Sequence, residues 1–71
     1  MKVWLTTIIY TDTEEVLSVE STEERAKRIA EKDNGSLLGW SWHKTSQSYY
    51  AEGLRRQIQY KVQEWTVNED S

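Results

Sequence analysis

Aromatic and basic side chains alternate through the second half of the chain, between residues 40 and 61. This segment contains Trp40, Trp42, His43, Lys44, Tyr49, Tyr50, Arg55, Arg56, Tyr60 and Lys61. Single-stranded nucleic acids are bound by such groups, because bases stack on aromatic rings and cations follow the phosphates. Trp, Tyr and Arg are also enriched where proteins bind proteins. A third interpretation is that the rings form sheet core and the cations face solvent.

The distribution of charge favours a protein partner. The net charge is −3 and the isoelectric point is about 5.0. Residues 36–63 carry a net charge of +3, whereas residues 1–35 and 64–71 each carry −3. The acidic flanks would repel a phosphate backbone. We therefore predict a protein-binding module, with a single-stranded nucleic-acid-binding module using segment 40–61 as the alternative.

The residues that could support catalysis or bind a metal are few. His43 is the only side chain that ordinarily titrates near neutral pH. The serines near it, Ser41 and Ser46, lack the glycines of a nucleophile elbow. The chain has no cysteine, which excludes thiolate metal sites. We predict a non-enzymatic protein with no catalytic residues, metal or cofactor.

The hydropathy of the sequence predicts a soluble protein. No apolar run approaches the ~20 residues that span a bilayer, and no signal peptide precedes the first strand pattern. We predict a cytoplasmic location and no membrane partner.

A helix over residues 22–33 has signals at both of its ends. Ser21 and Glu24 have the spacing of a capping box, and Asn34-Gly35 is typical of a left-handed helix stop. The apolar stripe is thin, because its members are Ala26, Ile29 and Ala30. Such a helix must lie on a flat apolar surface, and we expect Ile29 to be its main anchor.

Strand patterns precede and follow this helix. They cover residues 2–11, 15–20, 37–44 and 57–67. Residues 45–56 fit either a long hairpin connection or a short helix. The sequence thus predicts an α+β fold, a small antiparallel sheet of order β-β-α-β-β with one helix packed on one face. We expect one domain over 1–71, with a frayed tail at 68–71.

The last strand changes the side on which its apolar residues lie. Ile58, Tyr60 and Val62 alternate with polar residues, and the apolar positions then become Trp65 and Val67. Either a bulge near Gln63-Glu64 restores one face, or the strand crosses between two environments.

The predicted helix is too small to cover both faces of the sheet. It is ~16–18 Å long and ~10 Å wide, and four strands make a sheet ~15–20 Å across. Aromatic residues on the uncovered face would then meet a protein partner or a second copy of the chain. The predicted partner-binding residues are Trp4, Tyr10, Trp40, Trp42, Tyr49, Tyr50, Arg55 and Arg56.

Four segments of the sequence form a recognisable set. They are Lys2-Val3-Trp4, Tyr10-Thr11-Asp12, the run from Val19 through Ser21-Thr22-Glu23-Glu24-Arg25-Ala26-Lys27, and Glu64-Trp65-Thr66-Val67. These segments resemble those of short bacteriophage-type proteins. Proteins of this type are uncharacterised β-β-α-β(-β) polypeptides, and some short phage proteins bind and block host or defence proteins. The resemblance implies an inhibitor of such a protein, acting in the host cytoplasm.

Overall fold

The computed structural model describes residues 1–55 and 57–67, which form an antiparallel sheet and one helix. The elements are β1 (Lys2–Ile9), β2 (Glu14–Glu20), α1 (Glu23–Asn34), β3 (Ser41–His43), β4 (Ser48–Glu52) and β5 (Gln59–Thr66). The strand order across the sheet is β2-β1-β5-β4-β3. This confirms the α+β class, with five strands in place of the predicted four. The tail expected to fray, 68–71, lies outside the described residues.

The first and last strands form the centre of the sheet. The pairing of β1 with β5 is continuous from Lys2 opposite Thr66 to Ile9 opposite Gln59, so β5 has no bulge against β1. Because side chains alternate between faces, Tyr60 and Val62 lie on one face and Trp65 on the other. Of the two alternatives for this strand, the structure shows the crossing between environments.

A register shift lies between β1 and β2 instead. Thr6 is opposite Ser18 and Thr7 is opposite Val16, so Leu17 is the extra residue on the β2 strand. Leu17 packs against the hydrophobic core beneath the helix. The bulge thus directs one large apolar side chain of an otherwise exposed edge strand into the core.

Helix α1 begins one residue later than the capping-box spacing predicts. The N-cap is Thr22, whose Oγ1 accepts a hydrogen bond of 3.2 Å from the Arg25 backbone N–H. With Thr22 as the N-cap, the residue at the third helical position is Arg25, whose side chain cannot accept a hydrogen bond from the N-cap N–H. The predicted Ser21–Glu24 capping box is therefore wrong. The predicted stop is confirmed, because Gly35 has a φ of 81° and its N–H donates to the Glu31 carbonyl.

Two alanines bring the helix close to the sheet. Ala26 and Ala30 are fully buried, whereas Ile29 is only partly buried, beside Leu17. The Thr6 hydroxyl donates a 2.9 Å hydrogen bond to the Ala26 carbonyl. The closest anchors of the helix are therefore its smallest side chains, and Ile29 contributes less than expected.

Between the helix and β5, the chain forms a hairpin that extends the sheet. The predicted third strand at 37–44 is reduced to β3, since the Glu31 carboxylate accepts from the Leu38 N–H (3.1 Å) and from Trp40 Nε1 (3.4 Å). These bonds hold residues 37–40 along the helix and outside the sheet. Strand β4 occupies part of 45–56, where the sequence left a hairpin connection or a short helix open.

Candidate partner-binding surface

The sheet is wider than the helix that lies on it. The β1 side chains on the helix side are Trp4, Thr6 and Ile8. On β5, Val62 lies opposite Thr6 and Tyr60 lies opposite Ile8, so both also point to the helix side. Helix α1 packs against β1, β2 and β5, and within the described residues it makes no comparable contact with β3 or β4. The helix backbone therefore does not lie over β4 and β3, although the Lys27 side chain reaches Tyr49 on β4.

Three aromatic rings, which we term the aromatic cluster, lie on the helix side of the sheet: Trp4, Trp42 and Tyr49. The prediction that such rings lie on the face that the helix leaves open is therefore wrong for these three. The ring centroids of Trp42 and Tyr49 are 4.8 Å apart at an interplanar angle of 57°. Those of Trp4 and Tyr49 are 6.5 Å apart at 42°. These tilted arrangements are favourable for the ring quadrupoles. Trp42 remains 49% exposed, so the cluster presents indole surface to solvent.

A cation from the helix already contacts one ring of the cluster. The Lys27 ammonium lies 3.5 Å from the centroid of Tyr49 and 5.9 Å from that of Trp40. It also donates to Glu23 Oε2 at 2.9 Å, one helical turn earlier. This pairing fixes the ammonium over Tyr49, where the cation–π attraction is worth about 0.5–1 kcal/mol at an exposed site.

Carboxylates surround the aromatic cluster. Trp4 lies between Glu20 on β2 and Glu64 on β5, its direct cross-strand neighbours on the same face. Glu64 is 3.4 Å from the ammonium of Lys2, which is itself largely exposed. With the Glu23–Lys27 pair included, this region contains three carboxylates (Glu20, Glu23 and Glu64) and two ammonium groups (Lys2 and Lys27). Trp4 thus lies in a weakly negative setting.

The other predicted partner-binding residues lie elsewhere. Trp40 packs against the core near Lys27, whereas Tyr10 is exposed at the far end of β1. Tyr50 lies on the opposite face of the sheet from Tyr49. Arg55 is close to the helix end, its guanidinium 3.5 Å from Asp33, and Arg56 lies outside the described residues. The structure therefore brings together Trp4, Trp42 and Tyr49, with Trp40 beside them.

His43 lies on the open face of the sheet, which α1 does not cover. Its ring packs edge-on against Tyr50, with 4.7 Å between centroids. A shallow depression of about 470 Å³ contains both His43 and Glu52. However, His43 pairs with Ser48, four positions from Glu52 along β4, a distance of ~13 Å. Since Tyr50 lies between them, this carboxylate is poorly placed to orient the imidazole as a general base.

The open face also carries apolar side chains near β1. Trp65 is paired with Val3, Leu5 is paired with Val19, and both Trp65 and Val19 are at least half exposed. No helix of the described residues lies on this side. The molecule therefore has two half-exposed tryptophans, Trp42 and Trp65, on opposite faces.

Sequence reasoning missed three residues of the surface: Lys27, Glu20 and Glu64. The Glu23–Lys27 spacing of one helical turn was a signal for the ion pair. The neighbours of Trp4 carried no signal, because they follow from the register of β1 with β2 and β5.

The described residues lack a metal site and a membrane-spanning helix. Over residues 1–55 and 57–67, no three His, Asp or Glu side chains converge closely enough to hold a metal ion. In the same part of the chain, no helix has the length and apolar character needed to cross a membrane.

Comparison with protein-family models, curated proteins and solved structures finds no significant match. The resemblance to bacteriophage-type proteins stays a prediction.

Proposed function

We propose that the protein is a small non-enzymatic binding domain whose recognition surface is the aromatic cluster and its immediate surroundings. The observation that carries this proposal is the half-exposed Trp42 ring, packed on Tyr49 and left uncovered by the helix. Aromatic rings held by a rigid sheet lose little conformational entropy when they bind, and Trp and Tyr are enriched at the energetic centres of protein interfaces.

The surroundings of the cluster favour a protein over a nucleic acid. Glu20 and Glu64 lie beside Trp4, where the phosphates of a stacked strand would have to pass. Arg55 lies beside Asp33 near the helix end, and Lys61 points to the opposite face from Tyr49. Arg55 and Lys61 are therefore separated from the aromatic cluster, and Lys61 is instead paired with Tyr50 on the open face. A protein partner matches this arrangement better than single-stranded nucleic acid, which requires both groups along one path.

The resemblance to bacteriophage-type proteins extends the proposal to a class of target. We place the protein among inhibitors that bind a host or defence protein in the cytoplasm. Binding alone, with no chemical step, is sufficient for this role, and the position of His43 away from the cluster agrees with a non-enzymatic function.

The experiment compares the two half-exposed tryptophans. Immobilised wild type, Trp42→Ala and Trp65→Ala proteins are incubated with a bacterial lysate, and captured proteins are quantified by mass spectrometry. Trp42 and Trp65 are 49% and 50% exposed, so the two substitutions remove similar surface from opposite faces. We expect wild type and Trp65→Ala to capture the same proteins in similar amounts. The amount captured by Trp42→Ala should be at least about tenfold lower.

Two outcomes would contradict the proposal. Equal loss of capture in both variants would show that the aromatic cluster is not the recognition surface. Recovery of nucleic acid alone would favour the alternative, if its binding falls with salt at a log–log slope of about −0.7 for each neutralised phosphate.

A further inference from the structure

The aromatic cluster has the chemistry of a site for a positively charged side chain. The face of an indole or phenol ring carries negative electrostatic potential, and cations bind over it. The molecule already shows this interaction once, where the Lys27 ammonium lies 3.5 Å from the Tyr49 centroid. The internal contact indicates what kind of group the neighbouring rings favour.

The Trp4 ring is free to accept a second cation. Lys27 lies over Tyr49 and within 5.9 Å of Trp40, but no cation of the described residues lies over Trp42 or Trp4. Trp42, on the short edge strand β3, is 49% exposed, and Trp4 is partly exposed. An external cation can therefore bind Trp4 without displacing Lys27.

Nearby carboxylates supply the countercharge. Glu20 and Glu64 flank Trp4, and Glu64 is only loosely paired, at 3.4 Å, with the exposed Lys2. Within the described residues, Glu20 forms no ion pair. Aromatic faces bordered by carboxylates match an arginine or lysine side chain, since the ring contacts its apolar stem and flat cation and the carboxylate neutralises its charge.

We infer that the aromatic cluster binds an arginine or lysine side chain of the partner protein, with the cation over Trp4, between its countercharges Glu20 and Glu64. This inference rests on the proposed function. It assigns the partner a basic recognition segment, in agreement with the net charge of −3 on the whole chain.

The test uses a defined peptide, acetyl-Gly-Arg-Gly-Arg-Gly-amide, and its citrulline analogue, which keeps the shape of arginine but lacks the charge. The indole N–H signals of Trp4, Trp42 and Trp65 are followed by NMR during titration. We expect the arginine peptide to shift the Trp4 and Trp42 signals saturably and to leave Trp65 unmoved. The citrulline peptide should bind at least about tenfold more weakly.

A pair of charge variants separates the local effect from the total charge. Glu64→Gln should weaken arginine-peptide binding about threefold or more, because it removes a countercharge beside Trp4. Glu15→Gln changes the net charge equally but lies opposite Ile8, near the other end of β2, and should have little effect. Binding of lysine in place of arginine is expected with lower affinity.

Three results would overturn the inference: equal binding of the citrulline peptide, equal effects of the two charge variants, or no shift at about 10 mM peptide. Any of these, together with protein capture that still depends on Trp42, would refute the cation site and leave the proposed function standing. Peptide binding without any Trp42-dependent protein capture would instead refute the proposed function.

Discussion

At the scale of single residues, Tyr60 links the core to the end of the helix. Its ring is fully buried, and its hydroxyl donates a 2.8 Å hydrogen bond to Asp33 Oδ2. Burial raises the pKa of Tyr60 above its usual value of 10.0, because the phenolate would lose hydration, and the hydrogen bond to Asp33 raises it further. The nearby Arg55 opposes the shift. The neutral phenol is thus the form that the fold requires.

This pKa shift predicts a loss of stability at alkaline pH. The unfolded chain loses the Tyr60 proton near pH 10, before the folded chain does, so the contribution is complete below pH 10. It is lost as the pH rises through the higher folded pKa. We expect Tyr60→Phe to lower the free energy of unfolding by about 1 kcal/mol at pH 7. The difference from wild type should shrink as the pH rises above 10.

Urea unfolding at a series of pH values measures this difference. Tyr10→Phe is the control, because Tyr10 is an exposed tyrosine outside the core. A difference between wild type and Tyr60→Phe that stays constant through pH 11 would contradict the role assigned to the Tyr60 proton.

At the scale of elements, the last turn of the helix holds two loops in place. The Glu31 carboxylate accepts hydrogen bonds from Leu38 and Trp40. Three residues later, the Asn34 side chain accepts from the Leu54 N–H at 2.8 Å and donates to the Ser36 carbonyl at 3.2 Å. The segment before β3 and the loop after β4 are therefore both attached to the same end of α1.

We predict that Glu31→Ala releases the segment 37–40 and leaves the sheet folded. Loss of the acceptor leaves the Leu38 N–H and the Trp40 indole N–H without their partner, which should cost about 1–2 kcal/mol. The Trp40 contribution to fluorescence and near-ultraviolet circular dichroism should change, with little change in the far ultraviolet. Glu31→Gln keeps an acceptor oxygen and should behave much more like wild type. Equal spectra for Glu31→Ala and wild type would contradict the prediction.

The sequence predicted the elements whose signals are local. Residues of β1 are β-branched or aromatic along most of its length, and Gly35 ends the helix. Strand β4 was not predicted, because the alternation typical of a half-buried strand is missing from its sequence. Tyr49 and Ala51 lie on the helix side, and Tyr50 between them is as apolar as they are. The contact between the Trp4 and Tyr49 rings could not be predicted from the sequence either, because β5 lies between their two strands in the sheet. Register and strand order, unlike caps and alternation, arise from contacts between distant segments.

At the scale of the whole molecule, the core is small. The fully buried apolar side chains larger than alanine are Ile8, Tyr60 and Val62 among the described residues. A single core in 71 residues supplies about 3–5 kcal/mol without disulfides or metals. The stability of the protein therefore depends on very few side chains.

Two adjacent isoleucines provide the test. Ile8 is 1% exposed on the helix side, whereas Ile9 is partly exposed on the open face. Ile8→Ala should cost about 2–5 kcal/mol and leave much of the chain unfolded at 25 °C. Ile9→Ala should cost clearly less. Equal losses in urea unfolding would contradict this assignment of the core.

The same measurements address the predicted option of a homodimer. A dimer through either face would make the unfolding midpoint rise with protein concentration. The predicted dimer uses the face of Trp4, Tyr10, Trp40 and Trp42, whereas a dimer through the open face would also increase the cost of Ile9→Ala, because the second copy would cover Ile9. A midpoint independent of concentration would support a monomer that binds a different partner.

The pairing of β1 with β5 has a consequence for how the molecule is made. The two central strands come from opposite ends of the described chain, since Lys2 pairs with Thr66 and Ile9 with Gln59. Closing so long a loop is slow, and few native contacts can compensate for the lost entropy before it closes. During translation, β1, β2 and α1 must wait for β5 to leave the ribosome before the sheet has its centre. Until then the hairpin of β1 and β2 exposes an unpaired strand edge, which favours association with other nascent chains.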